Sequence, residues 1–406
     1  MGQYLSHKPL YSFLYRYNSV FETTSHHPLD SDKYQHSYIY PLFLSDVLFE
    51  IFSHLDNYTV YFRCANVCKT WRYCAWYLLN DFKFRYDENL EFLISGKDVD
   101  LQQSTPGPKG QKNMYSQIVR SNKLYEARNQ MLEKLLDHVV CNAKYLKKFQ
   151  VLDAQQHDAF NKMITNARIE HLTNSCSDLL DTIDLTACNY LKENAFLNIS
   201  KKCGPNLVYL KLRYSTSIHD VLCERYISKM KKLKYLNLSK CPYVGLYGLL
   251  HISTGCTSLE ALDVSGCLAI PNFSFLNNFS NLKELYIQDT LFSSNDVQYI
   301  PSTLEKLNIR RSDNLKQLDL SKIAHLKEID ISYCSPLLNI NDDNNIQIVT
   351  TKWEKLSAVS NEWTEKLVSI SPNLKELEIG FLKFETKEQE LRFFNSIEHI
   401  QTKVVQ

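Results

Sequence analysis

Leu233-Lys234-Tyr235-Leu236-Asn237-Leu238-Ser239-Lys240-Cys241 is the stretch that decides the fold of this chain. Leu233, Leu236 and Leu238 are spaced Leu-x-x-Leu-x-Leu. From Tyr235 onward, polar and apolar residues alternate with the period of two that a strand imposes. The spacing recurs on both sides. It begins at Leu180, Leu207, Leu233, Leu259, Leu282, Leu304, Leu326 and Leu374, at intervals of 27, 26, 26, 23, 22, 22 and 48 residues. The last interval is twice 24, which predicts one degenerate repeat between Ile340 and Trp363. A sustained period of this length marks a solenoid. A single unit cannot bury its own apolar edge, whereas stacked units bury a continuous core. The second and third leucines of each motif therefore point into the array, and the residues around them form a concave face. Asp220 to Lys232 and Leu246 to Thr254 suit helices on the convex side. The shorter intervals after Leu259 leave room only for turns or short helices. Leu315-Leu318-Leu320 also fits the spacing, 11 residues after Leu304, as a convex segment or as a separate strand.

Cys188, Cys241, Cys267 and Cys334 each stand three residues after the last apolar strand position, and Cys203 and Cys256 stand just before two further motifs. A small buried side chain there closes the turn after the strand. Stacked turns place such thiols in a row, whereas a metal needs converging ligands, so no metal site is expected. This pattern resembles the cysteine-containing subclass of leucine-rich repeats. No secretory signal or long apolar span stands out in the sequence, so the 12 cysteines are expected to be free thiols in a cytoplasmic or nuclear protein.

Residues 43–85 read as three short helices. Val47, Leu48, Ile51, Phe52 and Leu55 follow helical spacing behind a capping Ser45, and Cys68, Trp71 and Ala75 recur every three or four residues. Phe43, Leu44, Asp46, Val47, Leu48, Ile51, Phe52 and Leu55, followed by Val67, Cys68 and Trp71, resemble the F-box pattern. Leu44 stands where that family usually has proline. The resemblance, with the repeats behind it, implies an α+β chain: a small three-helix F-box, a helical linker, then a curved leucine-rich-repeat solenoid with short parallel strands on its concave face. It further implies docking on a Skp-family adaptor, and through it on cullin and RING subunits. The adaptor contact would involve Phe43, Leu44, Val47, Leu48, Ile51, Phe52, Leu55, Val67, Cys68 and Trp71. The array would recruit a protein substrate for ubiquitin transfer, or serve a non-degradative scaffold.

The implied boundaries are a tail at 1–40, the F-box at 43–85, a loop and helical linker at 86–175, repeats at 176–380 and a cap at 381–406. In the linker, Leu132, Leu135, Leu136 and Val139 form one apolar helical face. The substrate face is expected at Tyr209, Lys211, Arg213, Tyr235, Asn237, Glu260, Asp263, Glu284, Tyr286, Lys306, Asn308, Arg310, Glu328 and Asp330. Gly2 with Ser6 fits an N-myristoylation pattern, which would add a weak membrane tether. With 46 basic and 45 acidic residues the net charge is +1, so no nucleic-acid footprint is present. No phosphate loop, nucleophile elbow or zinc-protease motif occurs, and no cofactor or catalytic residue is expected.

Overall fold

The computed structural model describes residues 81–85, most of 126–152, nearly all of 158–334, and 346–347, 355–358, 373–380 and 386–405. The chain divides into two compact units, Met1–Leu78 and Leu79–Gln406, and the described residues belong to the second. The F-box residues from Phe43 to Trp71, and Gly2, lie outside the described residues.

The strands are β1 Asp81–Arg85, β2 Lys148–Leu152, β3 Thr182–Leu185, β4 Tyr209–Lys211, β5 Tyr235–Asn237, β6 Ala261–Asp263, β7 Glu284–Tyr286, β8 Lys306–Asn308, β9 Leu318–Asp319, β10 Glu328–Asp330, β11 Ile346–Gln347, β12 Lys355–Ala358, β13 Glu376–Gly380 and β14 Gln401–Val405. Twelve of them form one sheet in chain order; β9 and β11 pair separately. The neighbours pair in parallel, one strand per repeat, as a solenoid requires. β12 fills the long interval before Leu374, and β9 holds the extra motif at Leu318, outside the main sheet.

The short strands end in one recurring turn. Ala187, Tyr214, Lys240, Gly266, Asp289, Arg311 and Tyr333 each stand two residues past the last apolar strand position, with φ between 53 and 68°. A side chain in this left-handed region costs about 1–2 kcal/mol. The array tolerates it because the turn amide donates onward. Tyr214 N–H reaches Ser239 O at 2.9 Å, Lys240 N–H reaches Ser265 O at 2.7 Å, and Gly266 N–H reaches Gln288 O at 2.8 Å. Ladder hydrogen bonding thus continues beyond the strands.

The next residue closes the turn. Cys241, Cys267 and Cys334 are fully buried, and their thiols donate to Leu212 O, Leu238 O and Ile309 O of the preceding repeat at 3.1–3.2 Å. Thr290 and Ser312 occupy the same position, and their hydroxyls donate to Ile287 O and Ile309 O at 2.7 Å. Burial pushes Cys256 and Cys267 up to about 12. These thiols are inert packing groups.

On the convex side, α1 Asp158–Met163, α2 Asn166–Cys176, α3 Glu193–Asn198, α4 Asp220–Arg225 and α5 Leu246–Gly255 back the longer repeats. Gly255 lets α5 press on its neighbour, since a Cβ there would lie 2.2 Å from Ser228 O. After β6 only the 3-10 turns Ser274–Asn278 and Ser294–Tyr299 fit, as the shortened intervals require.

The sheet reaches further than the leucine pattern indicated. β1 lies inside the stretch read as F-box, and β2 inside the stretch read as linker. They pair with each other, and β2 pairs with β3. Helical residues of 126–142, with Leu132, Leu136, Val139 and Val140 buried, lie on the crossover from β1 to β2. At the other end, α6 Lys387–Ser396 opens with a capping box of Thr386 and Gln389, and β14 extends the sheet beyond β13. The segment read as a cap thus adds another strand.

Candidate partner-binding face

Two columns of side chains run across the concave face, because β register aligns equivalent positions of every repeat. The first column holds Thr182, Tyr209, Tyr235, Ala261, Glu284, Lys306 and Glu328. The second holds Asp184, Lys211, Asn237, Asp263, Tyr286, Asn308 and Asp330. Their neighbours in sequence, such as Leu210, Leu236 and Leu262, are buried in the core.

Glu260 does not belong to this face. Register puts Ala261 opposite both Tyr235 and Glu284. Glu260 lies one residue earlier, where it pairs with Lys234 at 2.7 Å and Lys283 at 2.9 Å. Those hydrogen bonds hold its carboxyl below the usual range. Lys327 and Glu305 continue this edge row of alternating charge at 2.6 Å. Arg213 and Arg310 follow their strands and lie over the rings of Tyr214 and Tyr333, at 4.6 and 4.7 Å from the ring centroids.

Much of the second column is structural. Asp184, missed in the sequence reading, is 2% exposed. Its Oδ1 accepts from Thr186 N–H and Oγ1–H, and its Oδ2 pairs with Lys211 at 3.1 Å. Asn237 Oδ1 accepts from Ser239 N–H and Oγ–H, while its Nδ2 donates to Asp263 Oδ2 at 2.6 Å. Asn308 repeats the motif, donating to Asp330 Oδ2 at 3.2 Å. Asp330 is desolvated enough to be held above its ordinary value, although bonds from Ser332 oppose the shift. Short polar side chains at this column hold the strand-to-turn bend by bonding the amide two residues on.

The first column is more open. Tyr209 and Tyr235 stack with ring centroids 4.2 Å apart and planes 1° from parallel. Burial raises the Tyr209 phenol well above its ordinary value. Lys306 bridges Glu284 at 3.8 Å and Glu328 at 3.0 Å. Tyr286 donates to Glu284 at 2.9 Å.

With the repeat face in view, the N-terminal residues gain a context. The F-box-like family matches residues 45–79, ending just before β1. In the sequence this match precedes the repeat array. It is 25% identical over 149 residues to F-box/LRR-repeat protein 4 of Bos taurus, covering 29% of this chain and 24% of that protein. The chain thus matches about a quarter of the length of that curated relative. Among solved structures, it is similar to a chain of the Rad7 and Elc1 complex of yeast, with 14% identity, a TM-score of 0.33, and coverage of 70% of this chain and 96% of that one. It is also similar to the internalin inlF of Listeria monocytogenes, with 15% identity, a TM-score of 0.37, and coverage of 66% and 71%.

Proposed function

We propose that this chain is a substrate-recognition subunit of a Skp–cullin–F-box ubiquitin ligase, working in the cytoplasm or nucleus. The carrying observation is the F-box-like match at 45–79, followed directly by the first strand of the repeat sheet at Asp81. The F-box-like module binds a Skp-family adaptor, which brings cullin and RING subunits, and the concave face binds the target protein. No residue of the chain performs the transfer. It acts by raising the effective concentration of target near activated ubiquitin.

The test is co-purification of the full chain with a Skp-family adaptor and cullin, against a Leu48→Ala/Ile51→Ala double variant. Truncating buried interface side chains costs about 2–5 kcal/mol each, so adaptor and cullin should both be lost while the array stays folded. Adaptor without cullin would point to a non-degradative scaffold. Neither protein bound by folded wild type would overturn the reading.

A further inference from the structure

The rim where the strands turn is electrostatically one-sided. Each strand of the main sheet from β3 to β10 contributes to it the residue after the last apolar strand position and the left-handed residue that follows. These positions carry Arg213, Lys240, Arg310 and Arg311 against Asp289, and four minus one leaves three positive charges. Lys240 and Arg311 share that carboxylate, at 3.7 and 3.6 Å. Lys240 reaches it across Gly266, where a Cβ would lie 2.4 Å from the lysine Cδ. Arg213 and Arg310 differ, since among the described residues neither forms a salt bridge. Each is held by a tyrosine instead. Arg213 lies over Tyr214 and donates to its phenol at 3.1 Å, and Arg310 lies over Tyr333. Asp330 is near enough for Arg310 to favour its charged form, yet the two do not pair. On the opposite edge of the sheet, Lys234, Lys283 and Lys327 are each neutralised by Glu260 or Glu305. A guanidinium held on an aromatic ring is pre-organised, with its charge left for a carboxylate.

An apolar stripe borders this rim and is an independent sign of a partner. Two or three residues past the left-handed turn, Tyr243, Leu268 and Leu291 are 62%, 64% and 44% exposed, on consecutive repeats. The core is closed without them, because Val244, Ile270 and Phe292 just beyond are fully buried. Nor does the turn require apolar side chains there. The repeats on either side place Thr216, Ser217, Asp313 and Asn314 at the same positions. Large apolar side chains grouped in the open mark an interaction surface.

We infer that this rim seats an extended segment of the target protein that carries a carboxylate toward each end and an apolar side chain between them. The carboxylates meet Arg213 and Arg310, and the apolar side chain packs on Leu268 between Tyr243 and Leu291. The spacing favours carboxylates spread along a chain over a single phosphoryl group. The two arginines stand four strand spacings apart, about 19 Å, which an extended chain crosses in about six residues. The acids of the neighbouring columns leave these arginines available, because Lys306 and the turn amides of Ser265 and Ser332 already engage them. The surplus positive charge of the rim steers an acidic segment toward it. This inference rests on the reading that the array holds a protein target, and it names the chemistry of the segment that is held.

A random peptide library displayed on phage, selected against the full chain, tests it. The expected result is enrichment of peptides with two acidic residues about six positions apart and an apolar residue between them. Binding of those peptides should weaken at least about tenfold in Arg213→Gln and in Arg310→Gln, as loss of a charged hydrogen bond implies. Leu268→Ser should weaken it by a similar factor, and so exposed a side chain can be changed without disturbing the core. Lys283→Gln, on the opposite edge, should leave binding unchanged. Circular dichroism confirms that each variant is folded. Selected peptides that are basic or uncharged, no enrichment, or equal binding by folded Arg310→Gln and Leu268→Ser would each overturn the inference. The selection does not depend on the adaptor. Peptides lacking the acidic pair would therefore sink the rim site alone, whereas loss of the ligase reading shows only in the adaptor co-purification.

Discussion

Raising the pH should unfold the repeat array before its thiols can ionise in place. Cys176, Cys203, Cys256 and Cys267 are pushed up to about 12, and Cys334 to about 11, from an ordinary value of 9.0, chiefly by burial. Cys188, Cys223 and Cys241 are pushed up further. A raised thiol favours the protonated, folded form, so this stability is intact below pH 9. It is lost as the pH rises from the unfolded value toward the folded one, because only the unfolded chain releases protons there. At pH 10 each thiol forfeits on the order of 1 kcal/mol. Eight such groups together forfeit on the order of 10 kcal/mol, comparable to the whole stability of about 5–15 kcal/mol expected for a domain. Cooperative unfolding should therefore fall between about pH 9 and 10.5. Tyr209 and Tyr286, also held high by burial, push the same way. The assay is a pH titration under a phosphine reductant, following backbone circular dichroism and thiolate absorbance together. Absorbance from the eight buried thiols should appear together with loss of the backbone signal, whereas exposed Cys141 and the three cysteines outside the described residues contribute separately. Thiolate from more than those four cysteines while the backbone signal stays native would refute the buried thiol row.

Three further outcomes follow from the packing. Leu236→Ala removes a fully buried side chain between Leu210 and Leu262 and should cost about 3–5 kcal/mol in urea unfolding; under 1 kcal/mol would mean the core is misassigned. Asp184→Ala strands Lys211 and the Thr186 amide and should cost about 3–5 kcal/mol, with strong non-additivity against Lys211→Ala in a double-mutant cycle. Ala187→Gly relieves a left-handed alanine at φ 59° and should raise the melting temperature, whereas Gly266→Ala, at φ 68°, should lower it. Equal effects of these two changes would argue against the shared turn.

The repeat strands from β3 onward were legible because Leu, Ile and Val hold the inward positions. β1 and β2 escaped because phenylalanine replaces leucine while the spacing survives. Leu79-Phe82-Phe84 and Leu146-Phe149-Val151 have the same intervals as Leu233-Leu236-Leu238. Phe82 and Phe149 are buried with ring centroids 5.9 Å apart, where later repeats place leucines. A search by volume and spacing would have found both. β14 could not have been found this way, since register puts Thr402 opposite Leu377 and the apolar pattern is gone. There the sheet is continued by backbone pairing and the capped helix α6.

The face was legible in direction and not in function, for a physical reason. Period-two alternation says which side chains leave the core, yet it is silent on what they meet. Asn237 and Asp263 are equivalent in sequence and opposite in register. Asn237 is 5% exposed and committed at both ends of its amide, to the Ser239 turn and to Asp263. Asp263 keeps a net charge with no cation beside it. A neutral amide bridging two repeats contributes to the stack. Asp263 completes that bridge from the other side: one carboxylate oxygen accepts from Ser265 N–H and the other from Asn237 Nδ2, a pair of acceptors that an amide does not offer, and Asp330 does the same for Ser332 and Asn308. The alternation of amide and acid along this column is therefore set by the donor-to-acceptor pairing of neighbouring repeats, which period-two alternation alone does not reveal.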